Sequence, residues 1–410
     1  MTRSLRRVSV LAFGAFATGM DAYVMAGLLD GIGRELEVST SQAGQCVTVF
    51  TVCYAVSAPM LSAVLARLPT RTVLVAALLV FTLANAGSAL AGTYPFLLAC
   101  RAVAGAGAGL FSPTAATAAA ALVPDGQRGR ALALVLGGMS GGTVLGVPLG
   151  LLLADGQGWR AALWLVTGVG ALACLALTTG LPRVQARPAP SLRTRLAGLT
   201  HARIVLVIGM TLLQTVASLG LYTYLQPVLH ATAGIENPTG YLWVWGLGGV
   251  CGSLIAGTLA DRAGHPARLS ALLLALLGLS LVTLPWAGTI PGLVLLPLLL
   301  WGAVGWAFVV PQQHRLIAAD APGGAAVALN SSATYLGGSA GSALGGLALA
   351  TGMDARWLPL GAAAATAAGL LLYLLAPHPA TTGPRGHDSP TTPTKGTSHE
   401  DRCESSELRP

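Results

Sequence analysis

The sequence predicts an all-α membrane protein of twelve spanning helices arranged as two pseudo-symmetric six-helix bundles, and three observations predict it. Hydrophobic residues make up 54% of the chain against 9% charged, with a mean hydropathy of +0.69, far outside the composition of a soluble globular domain. Apolar runs of about 20 residues, the length that crosses a bilayer, recur along the chain. Helices are the expected element, because they satisfy their own backbone groups where open strands in lipid do not. The third observation is a duplication: Gly257-Thr-Leu-Ala-Asp261-Arg262-Ala-Gly264 echoes Ser62-Ala-Val-Leu-Ala66-Arg67-Leu-Pro69 at an offset of 195 residues, 66 to 261. The same offset pairs Asp125 with Asp320, Gly129 with Gly324 and Gly146 with Gly341.

Taken in order, the first span covers 8–29, after the basic start Arg3, Arg6, Arg7. It resembles a secretory leader, but it is too long, contains Asp21 and has no small-residue cleavage pattern. The second and third spans, 42–66 and 72–92, flank the turn with Arg67 and Arg71. The fourth, 96–122, begins near Pro95 and contains Arg101; the fifth, 131–154, follows Arg128 and Arg130 and contains Pro148; the sixth is 161–181. Residues 182–202, with Pro182, Pro188, Pro190 and four arginines, read as a cytoplasmic joint. The remaining spans are 203–229, 240–260, 269–287, 292–311, 324–350 and 357–376, the last opening on Trp357, a residue type enriched at membrane interfaces. The expected domains are therefore 1–181, the linker 182–202, 203–376, and a tail over 377–410 whose Pro, Thr, Ser and Gly content predicts disorder.

Basic residues in short loops mark the cytoplasmic side. With the N-terminus inside, nineteen of the Lys and Arg residues fall on the cytoplasmic side, and only Arg34, Arg160 and Arg356 fall outside, which predicts both termini in the cytoplasm. The net charge of +8 is thus a topology signal, and nucleic acid is not an expected partner. The six cysteines have no metal-ligand spacing; five lie in apolar segments, where packing explains them. With no nucleotide-binding loop and no His or Cys cluster, neither metal nor cofactor is expected, nor is enzymatic activity.

Internal duplication in a helical membrane protein marks transporters whose halves rock about a central site. An ionised side chain at a helix centre costs roughly 2.5 to 3.5 kcal/mol on insertion scales, so charges inside spans need a reason. Two residues stand out, Asp21 and Arg101. At 1.5 Å per residue they lie roughly 12 and 9 Å below the outer surface, a similar depth. The offset of 195 puts Val216 and Leu296 opposite them, so this charge belongs to the first half alone. Burial disfavours an ionised carboxylate and a nearby guanidinium favours it. Two readings fit: a proton switch at Asp21 tuned by Arg101, or an ion pair that only fixes two helices.

Four stretches carry a family resemblance. Gly257 to Gly264, with Asp261 and Arg262, is similar to a loop motif between the eighth and ninth spans. Arg101-Ala-Val-Ala-Gly105-Ala-Gly107-Ala-Gly109 resembles a fourth-span motif, and Gly142-Thr-Val-Leu-Gly146-Val-Pro148-Leu-Gly150 an antiporter motif of the fifth. Gly19-Met-Asp21-Ala-Tyr23-Val-Met-Ala-Gly27 resembles the first span of chloramphenicol-resistance and arabinose-efflux-like members. On these motifs, over residues 8–376, the chain resembles the drug:proton antiporter branch of the major facilitator superfamily. The resemblance implies a proton-coupled exporter of small amphipathic compounds such as antibiotics, a monomer in the bacterial inner membrane. A sugar or metabolite exporter and a passive facilitator are the alternatives.

Candidate roles follow. Asp21 and Arg101 couple the proton; Tyr23, Gln214, Ser218, Tyr222, Asn330 and Tyr335 contact substrate, helix-to-helix hydrogen bonding being the plainer alternative for each. Asp261 is expected to meet a helix N-terminus as a latch and to pair with Arg262 or Arg268, whereas the first copy keeps Arg67 but has Ala66 and Pro69 where the pattern has Asp and Gly. Gly105, Gly109, Gly142, Gly146 and Gly150 give smooth packing faces, bent at Pro148. Asp30, nine residues from Asp21 and on the opposite face, is expected in solvent at the outer mouth. Trp301 and Trp306 lie deep enough to line a cavity for flat compounds.

Overall fold

The computed structural model describes residues 3–65, 67–124, 127–181, 200–263, 265–290, 292–319 and 325–375, all within one compact unit. The linker over 182–199, the tail from 376 onward and the pair Asp125 and Asp320 lie outside the described residues. In chain order the helices are α1 (Arg3–Val24), α2 (Leu29–Glu35), α3 (Thr40–Val64), α4 (Thr70–Ala89), α5 (Tyr94–Ala121), α6 (Arg128–Gly141), α7 (Val147–Gln157) and α8 (Trp159–Gly180) in the first half. The second half has α9 (Ala202–Thr223), α10 (Leu225–Ala233), α11 (Thr239–Ala263), α12 (Pro266–Ala287), α13 (Leu295–Ala307), α14 (Val309–Ala318), α15 (Ala325–Ala350) and α16 (Leu358–Leu374). Eleven helical segments among the described residues are long and apolar enough to cross a membrane. The 26-residue α15 occupies the eleventh expected span.

The packing repeats between halves. In the first, α3 and α4 pack on α5, α8 packs on α4 and α1, and α6 packs on α1. In the second, α11 and α12 pack on α13, α16 packs on α12 and α9, and α15 packs on α9. Leu83, Leu175, Leu279 and Leu371, on α4, α8, α12 and α16, are all more than half exposed, as expected of helices that face lipid.

Four of the expected spans are broken. The first does not end at Leu29: α1 stops at Val24, a 3-10 turn covers Met25–Gly27, and α2 carries the chain on to Glu35. The seventh breaks in the matching stretch, at Tyr224 between α9 and α10. The fifth contains a π-helical turn, Gly142–Gly146, immediately before Pro148. Proline has no N–H for the carbonyl four residues back, and the Val147 N–H reaches instead to the Gly142 carbonyl, five back. The tenth divides at Phe308, three residues before Pro311.

Close approach explains the glycine motifs. A Cβ on Gly105 would collide with the Phe50 carbonyl of α3, and one on Gly142 with the Phe16 carbonyl of α1. Gly109 likewise lies against the Tyr54 carbonyl, and Gly146 and Gly150 against the side chains of Met20 and Val24.

Candidate functional site

Asp21, near the end of α1, Asn85, in the last turns of α4, and Arg101, in the first turns of α5, converge where these three helices meet in the first half. Arg101 Nη1 donates to Asp21 Oδ1 at 2.8 Å and to Asn85 Oδ1 at 3.1 Å. Asn85 Nδ2 donates to the Phe81 carbonyl at 3.1 Å and, more weakly, to Asp21 Oδ2 at 3.4 Å. The guanidinium lies over the Phe50 ring, 4.4 Å from its centroid. Asp21 and Asn85 are fully buried and Arg101 is 1% exposed. Arg101 Nε finds no hydrogen-bond partner among the described residues. A buried pair of this kind is poor glue, since desolvation opposes the attraction, but removing one partner costs about 3–5 kcal/mol. The arrangement therefore holds charge inside apolar surroundings and makes the state of Asp21 matter to three helices at once. At the positions 195 residues later stand Val216, Ser280 and Leu296, so the second half has no copy of it.

Two residues after Asp21, Tyr23 crosses to the second half. Its ring centroid lies 5.6 Å from that of Tyr222 on α9, 6.1 Å from Trp245 on α11 and 6.2 Å from Trp306 on α13. Tyr222 and Trp245 are 4.3 Å apart, and Trp301 Nε1 donates to Ser218 Oγ at 2.8 Å. Gln214 Nε2 reaches the Gly305 carbonyl at 3.4 Å. Tyr335 on α15 stacks on Tyr54 of α3 at 3.6 Å, a second aromatic bridge between halves. Buried Asn330 Oδ1 and Trp245 Nε1 have no partner among the described residues. The six residues assigned to substrate thus divide: Tyr23 and Tyr222 meet directly, Ser218 joins through Trp301, and Tyr335 is held by Tyr54. Gln214 faces α13, and Asn330 lies five residues before Tyr335, near the start of α15.

At the end carrying Glu35 and Arg160, a recess of about 1020 Å³ opens between the halves, lined by Asp30, Arg34, Glu35, Asp155, Gln226 and His230 among others. Gln226 Nε2 donates to Asp30 Oδ2 at 2.6 Å, and Asn237 Nδ2 to Asp155 Oδ2 at 3.1 Å, both bonds running from the second half to the first. Asp30 is therefore half-buried and bonded rather than free in solvent, because the break after Val24 turns α2 towards α10. Beside it, the Arg160 guanidinium, and then the Trp159 N–H at 2.6 Å, hold the Glu35 carboxyl below the usual carboxylate range. The expected Asp261 latch falls on residues that lie outside those described, Gly264 and the side chains of Asp261 and Arg262; Gly257 is in α11, and Arg67 is in an exposed turn.

Sequence reasoning did not single out Asn85, Phe50 or Tyr54. Asn85 carried a usable signal, an amide inside the apolar run 72–92; Phe50 and Tyr54 carried none beyond being aromatic.

The family model for the Major Facilitator Superfamily matches residues 11–325. The chain is similar to the inner membrane transport protein YdhP of Escherichia coli, 31% identical over 89% of this chain and 95% of that one. A chloramphenicol resistance protein of Streptomyces lividans is 36% identical over 64% of this chain and 68% of its own. A probable sugar efflux transporter of Mannheimia succiniciproducens is 26% identical over 76% and 78%. Among solved structures, the chain resembles a D-xylose-proton symporter in fold, with a TM-score of 0.76 at 17% identity over 92% of this chain and 98% of that one.

Proposed function

The chain belongs to the major facilitator superfamily and is a multi-pass membrane transporter, not an enzyme; from that premise we propose that it is a proton-coupled antiporter exporting small amphipathic compounds such as antibiotics. The observation that carries the reading is the buried Asp21–Arg101 pair, set two residues from an aromatic bridge to a second half that has no counterpart of the pair. In this reading Asp21 takes a proton when the Arg101 contact opens and releases it when the contact closes. α1 transmits the change to Tyr23, and the halves alternate access to a site lined by Tyr23, Gln214, Ser218, Tyr222, Asn330 and Tyr335. One carboxylate suffices: a proton contributes about 1.4 kcal/mol per pH unit and about 2.3 kcal/mol per 100 mV, together roughly 500-fold accumulation of a neutral substrate. The chain works as a monomer in the bacterial inner membrane with both termini in the cytoplasm, the orientation its arginines favour.

Similarity to the chloramphenicol resistance protein and the paired rings of Tyr23, Tyr222, Trp245 and Trp306 support an amphipathic substrate. Export of a sugar is the second reading, favoured by the similarity to the probable sugar efflux transporter. A panel of antibiotics against cells carrying the wild type or Asp21→Asn tests the proposal. Wild-type cells are expected to gain resistance to at least one compound, and Asp21→Asn to abolish it. Resistance to none removes the drug reading, and full resistance with Asp21→Asn removes the proton reading in favour of a passive facilitator.

A further inference from the structure

We infer that Asn85 is a positioning residue of the exchange site: its carbonyl is a neutral second acceptor that keeps the Arg101 guanidinium bonded while Asp21 carries a proton. The inference rests on the reading of Asp21 as the proton carrier. When solvent delivers a proton to Asp21, the carboxyl becomes neutral and a weaker acceptor, and Arg101 Nη1, which carries two hydrogens, is held mainly by its bond to Asn85 Oδ1. When the proton leaves, the bond to the carboxylate is strong again. No covalent bond changes apart from that to the proton.

The geometry meets the three requirements of such a role. A single donor atom, Nη1, reaches both acceptors, at 2.8 and 3.1 Å, so the exchange needs no rotamer change in Arg101. The amide is oriented, because Asn85 Nδ2 is tied to the Phe81 carbonyl one turn back; a flipped amide would set a donor against the guanidinium. The guanidinium also has no slack, since it is 1% exposed and its Nε is already without a partner among the described residues. With Asp21 neutral and no amide, the charge would keep only the Phe50 ring and a weakened carboxyl acceptor among the described residues, and a poorly paired buried charge is expensive. In the second half, Ser280 occupies the matching position and turns its hydroxyl to its own helix, on the Leu277 carbonyl at 2.7 Å. The amide therefore accompanies the charge pair and is absent where the pair is absent.

Other titratable groups near the pair are the thiols of Cys46 on α3 and Cys100 on α5, both within the field of Arg101, and the Tyr23 phenol on α1. The charged residues of the segment 128–157 packed on α1, Arg128, Arg130 and Asp155, stand at its two ends, and Arg160 begins α8.

Thermal unfolding of the purified full-length protein in detergent tests the inference. Asn85→Leu is expected to lower Tm at least about twofold more in an Asp21→Ala background than in the wild type, a coupling expected of groups sharing one partner. The excess should vanish when Arg101→Met is added. In the otherwise wild-type chain, Asn85→Leu should make Tm fall more steeply on acidification, because protonating Asp21 then weakens the one acceptor left to Arg101 Nη1. Asn85→Gln, which keeps the amide, should restore the wild-type slope; Asn85→Ala replaces the leucine variant should that one not fold. Equal losses in both backgrounds with parallel pH profiles would make Asn85 a packing residue and overturn the inference. The outcome is separate from the resistance assay: export that survives Asp21→Asn removes the proton reading while this cycle still reports what holds Arg101.

Discussion

A charge 1% exposed is safe only while it is bonded, and that makes Arg101 the most sensitive residue of the first half. Arg101→Met leaves Asp21 without its cation and is expected to destabilise by about 3–5 kcal/mol, measured by thermal unfolding. Adding Asp21→Leu should recover most of that loss, since removing both charges is far cheaper than removing one, yet the double variant should export nothing. Failure to recover would mean that Asp21 and Arg101 each have another essential partner. The pair was legible in the sequence because an aspartate and an arginine inside apolar runs have no cheap explanation. Asn85 was visible there as an amide in an apolar run but its role was not, because such an amide looks the same whether it ties helices together or serves a charge; the 3.1 Å contact with Arg101 separates the two.

Element by element, the apolar runs located the helices, but the backbone inside them is more divided than composition reveals. A Pro at 148 announced a bend, and the structure resolves it as the π turn Gly142–Gly146 packed on α1. The breaks at Val24 and Tyr224 have no proline at the break itself to announce them, so the first and seventh spans read as continuous. Gly142→Val would drive a side chain into the Phe16 carbonyl and is expected to cost about 1–3 kcal/mol of stability, seen as a lower Tm; an unchanged Tm would mean that α1 and the π turn separate easily. Beyond the break, α2 presents Glu35 to Arg160. A carboxyl held below its unfolded range contributes stability above that range and loses it as pH falls through the folded value. Glu35→Gln should therefore flatten the acid limb of the unfolding curve below about pH 4.3, the usual range of Glu, with little change at neutral pH, as expected of a half-exposed pair.

Across the whole molecule, many of the bonds between halves gather towards the end that carries Glu35. Gln226 meets Asp30, Asn237 meets Asp155, Ser41 Oγ donates to the Gly346 carbonyl at 2.6 Å, and Thr48 Oγ1 to Ser342 Oγ at 3.0 Å. The duplication made two halves legible, but not which end they close, because contacts between halves leave no periodic mark on either. If the halves rock, these bonds must part in each cycle. Asp30→Cys with Gln226→Cys should cross-link under oxidation, stop transport, and recover with reductant; transport through the cross-linked protein would mean that the halves do not separate there. The most direct test of the central claim is uptake into proteoliposomes of the purified protein under an imposed pH gradient, using a compound to which wild-type cells show resistance. The wild type is expected to accumulate the compound against its gradient while protons move the opposite way, and Asp21→Asn to show neither flux coupled to the other. Gradient-driven accumulation by Asp21→Asn equal to that of the wild type would contradict the account.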